Sequence, residues 1–300
     1  MTEHQTPWAT ASSQFPVGME ILHDDPGAVA DICFVHGLTG GRRSAWTAYQ
    51  QSEPWLKTLL PSHLNKVRIL SFGYGPFDRY CQDPRPFRRH AIDLLDAIGY
   101  YRRQALLRPL FFVAHCIGEL VCQEAITISY TSNSVPIINL FVALRGIILI
   151  STPYLDKSWK AQCDKITDPK RIARLDRTVQ TEHSRGDEFY YDSLRKDFFR
   201  AIKFVNITFL FAGVDIEGPV PVAHKAFEAA GDVFFEYVAL KGNHEDIVKI
   251  GSPEDYCFKP IVDRLNKWIA PPGKRVNYSH RYLVLTVSSI VEKCLENYTS

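Results

Sequence analysis

Three segments of the chain carry residue types that can do acyl-transfer chemistry, and they occur in a workable order. The first is Phe111-Phe112-Val113-Ala114-His115-Cys116-Ile117-Gly118-Glu119-Leu120-Val121, an apolar strand running into a helix through a tight turn. It has the form of a nucleophile elbow, G-x-S-x-G, with Ala114 and Gly118 at the small positions and Cys116 where the nucleophile stands. Small residues are needed because the nucleophile occupies strained backbone at a sharp bend, where a side chain two positions away would collide with the turn. On its own, an A-x-C-x-G string also fits a buried apolar cysteine near a strand end.

The second segment lies upstream. Phe34-Val35-His36-Gly37-Leu38-Thr39-Gly40-Gly41 follows an apolar run, and a glycine-rich loop there can turn a backbone N–H toward the elbow. The amides of Leu38 and Ile117 are the natural oxyanion donors. A phosphate loop does not fit the same residues, since G-x-x-x-x-G-K-[ST] would need glycine at Arg42 and lysine at Arg43. The third segment, Lys241-Gly242-Asn243-His244-Glu245-Asp246, supplies His244 as a base in a loop after the last strand. Gly-Asn-His-Glu also occurs in two-metal phosphoesterases, but the D-x-H and G-D-x-x-D ligand settings that chemistry needs are missing from the sequence. The remaining member is a carboxylate to orient the imidazole. Asp215 is the choice, beside Glu217 after the same strand, with Asp156 after the preceding strand as the fallback.

Positioning these residues requires a layered α/β framework. Short β-branched or aromatic runs at 31–35, 67–72, 109–114, 144–150, 207–212 and 233–240 alternate with helical stretches at 53–60, 87–107, 117–129 and 255–269. That alternation predicts parallel strands joined by crossover helices, and the continuous apolar character of the strands suits a sheet covered on both faces. Residues 19–23 add an antiparallel edge strand. Ser252 and Pro253 are expected to open the last helix as cap and first-turn proline. The charge-dense stretch 156–203 reads as an inserted cap or, alternatively, as a pair of solvated surface helices. The Ala270-Pro271-Pro272-Gly273 breaker closes a domain of residues 1–270 and leaves a tail, 271–300, that is a candidate surface for a protein partner.

Composition bounds the function. The chain has 300 residues, 46% hydrophobic and 23% charged, which is enough apolar material for a sizeable core and excludes a disordered chain. Its 35 Lys+Arg against 33 Asp+Glu leave a net charge of +2, too small for non-specific nucleic-acid binding. Seven scattered cysteines without a C-x-x-C pair argue for a reducing compartment. With a polar start at residues 1–14 and no apolar run of about 20 residues, the expectation is a cytoplasmic protein without a transmembrane segment.

Residues 31–41 (DICFVHGLTGG), Trp46, Phe72-Gly73-Tyr74, 112–121, 148–153 (ILISTP) and 243–253 (NHEDIVKIGSP) together resemble the lipase-like, serine-active-site-containing α/β-hydrolases. Related domains stand at the N-termini of many fungal NACHT and ankyrin-repeat receptors. The resemblance spans roughly residues 19–269. It implies an α/β-hydrolase fold and a catalytic role for the position of Cys116, for His244 and for a carboxylate near Asp215. Two departures stand out: where the family typically reads G-H-S-x-G-G, this chain has Ala114, Cys116 and Glu119. Cysteine serves as nucleophile in the dienelactone-hydrolase branch of that fold. Glu119 opposes a nearby thiolate if it points into the site and does little if it points to solvent.

The expected function is an acyl hydrolase acting on an ester or thioester of a small-molecule or lipid acyl substrate, through a covalent acyl-enzyme and without metal or organic cofactor. A catalytically silent hydrolase fold serving as a signalling module is the rival from another class. An acyltransferase in small-molecule biosynthesis would share the acyl-enzyme and differ in what captures it.

Overall fold

The computed structural model describes residues 16–38, 40–75, 87–151, 185–203, 205–212, 235–242 and 244–270. Among them, seven strands form one sheet: β1 (Gly18–Asp24), β2 (Ala30–Val35), β3 (Val67–Gly73), β4 (Leu110–His115), β5 (Leu144–Ile150), β6 (Asn206–Ala212) and β7 (Phe235–Leu240), in the order β1-β3-β2-β4-β5-β6-β7. Only β1 runs antiparallel, pairing with β3 at the edge, and the other neighbours are parallel. All the expected strands are present.

Side chains along each central strand alternate between two cores, which is why these strands read as unbroken apolar runs. Cys33, Val35, Phe112 and Ala114 face one core with residues of the helices α2 (Arg88–Tyr101), α3 (Gly118–Thr131), α4 (Val135–Ala143) and α5 (Arg185–Ala201). Ile32, Phe34, Phe111 and Val113 face the other, with α1 (Trp55–Thr58) and α6 (Phe258–Ile269). Each large side chain so buried contributes roughly 1.5–3 kcal/mol. Phe198 and Ala201 of α5 join the first core, so this part of the 156–203 insertion covers the sheet. Residues 152–184 lie outside the described residues, as does the tail 271–300.

The helices depart from their expected bounds for local reasons. The stretch 53–60 holds only α1 and a 3₁₀ turn, Leu60–Ser62, because Pro54 and Pro61 flank it and neither can donate a backbone hydrogen bond. Helix α2 stops at Tyr101 instead of 107: buried Arg102 turns its guanidinium to Asp31 and to the carbonyls of Leu106 and Arg108, drawing the chain into a turn. Asp31, fully buried at the start of β2, also takes two bonds from Arg68, at 2.9 and 3.0 Å, and one from Arg108 at 3.0 Å.

Ser252 and Pro253 do not open α6, which begins at Phe258. Asp255 instead closes a turn of its own, accepting from the amides of Gly251 and Ser252 at 2.6 and 3.1 Å. Helix α4 goes beyond the expected elements, because a segment apolar but for Asn139 and merging into β5 has no amphipathic period to separate helix from strand. Among the described residues no helix is long and apolar enough to cross a membrane.

Candidate active site

The strand order creates the site. The chain leaves β2 toward β3 on one side and returns through β4 on the other, so the carboxyl ends of β2 and β4 diverge into a crevice at a topological switch point. Leu38 and Cys116 stand on either side of that crevice, directly after β2 and β4.

Cys116 has φ +53°, left-handed backbone that a side chain adopts only under constraint. Its amide donates to the Ile150 carbonyl at 2.9 Å, and its carbonyl accepts from Glu119 N–H at 3.1 Å, so the elbow is pinned between β5 and the first turn of α3. Gly118 passes so close to the end of β2 that a Cβ there would lie 2.3 Å from the His36 oxygen and 2.7 Å from the Val35 oxygen. A Cβ on Gly37 would lie 2.7 Å from Cys116 Cβ. These two glycines let loop and elbow touch.

The loop itself is fixed by one imidazole. His36 Nδ1–H donates to the Gly37 carbonyl at 2.8 Å, while Nε2 accepts from Tyr74 N–H at 3.2 Å, a pairing that only one neutral tautomer satisfies. The ring stacks on Tyr74 at 4.2 Å, and the Tyr74 hydroxyl donates to the His36 carbonyl at 2.6 Å. Burial lowers His36 to a pKa of about 4, so it stays neutral near pH 7.

The backbone N–H groups of Leu38 and Ile117 both act on Cys116 Sγ in the sense that favours its thiolate. The two amides named from the sequence therefore converge on one atom. Burial nonetheless pushes the Cys116 thiol up to about 11, outweighing those two amides, and the charges of Glu119 and Glu245 act in the same direction. At neutral pH the residue is a thiol.

Glu119 settles inward, 2% exposed. Its Oε1 accepts from Gln123 Nε2 at 2.6 Å, and burial raises the carboxyl to about 8 against the pull of Gln123 and of the Arg195 charge on α5. It is thus a neutral acid around pH 7.

His244 is buried in the loop after β7, ahead of a 3₁₀ turn, Asp246–Val248. That loop is tied down from two sides. Trp55 Nε1–H donates to the Val248 carbonyl at 3.0 Å and the Tyr49 hydroxyl to Asp246 at 2.9 Å. From below, His115 Nε2–H donates to the His244 carbonyl at 3.0 Å, with the two rings 4.9 Å apart. Neither His115 nor His36 is singled out by residue type alone; their positions beside the elbow and in the loop are the signal that marks them. Ser151, after β5, also has φ +49°. Asp215, Glu217 and Asp156 lie outside the described residues. Among the described residues, no group of three His, Cys, Asp or Glu could hold a metal ion.

Neither a protein-family model nor a curated protein matches the chain. Solved structures do. The Pyrococcus horikoshii acylaminoacyl peptidase is similar over 86% of this chain and 40% of its own, at TM-score 0.54 and 14% identity. This chain therefore spans less than half of that peptidase. A butyrate-bound thermophilic esterase of the Planctomycetes species Thermogutta terrifontis is similar over 85% of this chain and 91% of its own, at TM-score 0.50 and 11% identity. With the sheet order and the elbow, these likenesses show the α/β-hydrolase fold.

Proposed function

We propose that the protein is an acyl hydrolase that acts on an ester or thioester through a covalent intermediate on Cys116. The observation that carries this reading is the convergence of the Leu38 and Ile117 amides on the sulfur of a residue held at φ +53°. Donors placed there meet the oxygen of a carbonyl brought against that sulfur.

Because Cys116 is a thiol, its proton must leave as the sulfur attacks, and His244 is the base that takes it. The carbonyl oxygen, now negative, replaces sulfur as acceptor of the two amides. Collapse of the tetrahedral adduct expels an alcohol or thiol, which receives the proton from His244. Water then attacks the acyl–sulfur bond with His244 again as base, releasing the acid and restoring the thiol. Asp215 is the proposed orienting carboxylate, with Glu217 and Asp156 as its rivals.

Inward-facing Glu119 and the raised thiol favour a second reading, a silent hydrolase-fold module. Hydrolysis of p-nitrophenyl esters and acyl thioesters by wild type, Cys116→Ala, His244→Ala and Cys116→Ser decides between them. The hydrolase reading expects no turnover from Cys116→Ala, a loss of about two to four orders of magnitude in His244→Ala, and slower turnover in Cys116→Ser. Activity that appears only in Cys116→Ser establishes the silent module.

A further inference from the structure

Glu119 is a buried acid beside the nucleophile that the proposed reaction does not use. Its carboxyl is held on one side only. Oε1 is bonded by Gln123, whereas Oε2, buried, has no hydrogen-bond partner among the described residues. An orphaned buried polar atom ordinarily costs about 1–3 kcal/mol, so a fold keeps one where something else completes it. The position is close to the chemistry: Glu119 N–H bonds the Cys116 carbonyl at 3.1 Å, and the Glu119 charge acts on the Cys116 thiol. Gln123, Arg195 on α5, Cys116 and Cys122 are the polar and titratable groups coupled to it.

We propose that Glu119 is a specificity-determining residue, its Oε2 binding an oxygen on the acyl group next to the reacting carbonyl. This deepens the acyl-hydrolase reading and rests on it. The substrate class is then an oxygen-bearing acyl group, such as a 3-hydroxy or 3-oxo acyl ester or thioester, in preference to a plain alkyl chain. The direction of the bond follows from the protonation state. With Oε1 accepting from Gln123 and the carboxyl neutral up to about pH 8, the proton sits on Oε2, which donates to the substrate oxygen.

The test compares p-nitrophenyl 3-hydroxybutyrate with p-nitrophenyl butyrate on wild type, Glu119→Met and Glu119→Gln, alongside thermal melting of each. Wild type is expected to prefer the hydroxy ester in kcat/KM by about tenfold, the worth of one well-placed hydrogen bond. Glu119→Met should bring the ratio to about one, with melting recorded beside it because the substitution also takes the acceptor from Gln123 Nε2. With p-nitrophenyl 3-oxobutyrate, whose 3-oxygen only accepts, the wild-type preference over butyrate should fall as pH rises through about 8, and in Glu119→Gln, which keeps an N–H donor, it should not. A wild-type preference for butyrate, or a ratio unchanged in Glu119→Met, overturns the inference alone. Reaction with neither ester overturns the acyl-hydrolase reading and this inference with it.

Discussion

His115 Nε2–H donates to the main-chain oxygen of His244 at 3.0 Å, so the residue before the candidate nucleophile carries the loop of the candidate base. The same imidazole lies against the oxyanion loop, with Nδ1 3.0 Å from where a Cβ on Gly37 would stand. Burial holds its pKa well below the ordinary 6.5, so the ring is neutral at neutral pH, and the bond to the His244 oxygen fixes its one proton on Nε2. One side chain thus braces the three segments recognised separately in the sequence.

His115→Leu removes the donor under His244 and should lower turnover by about tenfold, with His115→Gln, which keeps an N–H, recovering part of it. Esterase kcat/KM against pH, measured on variants of matched thermal stability, checks this. Equal rates in the Leu and Gln variants would mean that the ring only fills space.

Gly118→Ala places a methyl group 2.3 Å from the His36 oxygen, a backbone atom that cannot swing aside. The expected loss is roughly 1–3 kcal/mol of stability, read by denaturant unfolding. Because the displaced backbone is the oxyanion loop, turnover should fall as well.

Glu119 gives a pH signature in stability. The unfolded carboxyl ionises near 4.5, whereas the folded one holds its proton to about 8. Between those values the folded chain binds more protons, so this group's contribution is fully present below about 4.5 and is lost as pH rises toward 8. Glu119→Gln should therefore gain on wild type steadily from pH 5 to 8 in melting temperature. A difference that stays constant with pH contradicts the burial of this acid.

Cys116 should alkylate slowly at pH 7 and faster toward pH 11, the pH to which burial pushes its thiol. Removing the opposing carboxylate in Glu119→Gln should move that rise to lower pH. Rapid labelling that is independent of pH between 6 and 8 would instead indicate a preformed thiolate–imidazolium pair.

The strands are legible because burial on both faces leaves few polar positions to confuse the reading, as in Ile32-Cys33-Phe34-Val35. Helix α4 is not, since Val135–Ala143 is as apolar as the strand it feeds. In the site, Ala114 and Gly118 announce a close approach by their size, and the contacts a Cβ would make at Gly118 and Gly37 are where it occurs. The direction of Glu119 could not be read, because packing of α3 against α5, far along the chain, decides which way that carboxyl faces. Nor could the partner of His115, which lies in a loop more than a hundred residues away.

The most direct test of the account is the mass of the intact protein after brief exposure to p-nitrophenyl butyrate and acid quenching. The account predicts one butyryl group, mapped to the peptide containing Cys116, absent from Cys116→Ala and slow to form in His244→Ala. An unmodified mass in wild type, or an equal adduct in Cys116→Ala, would contradict it.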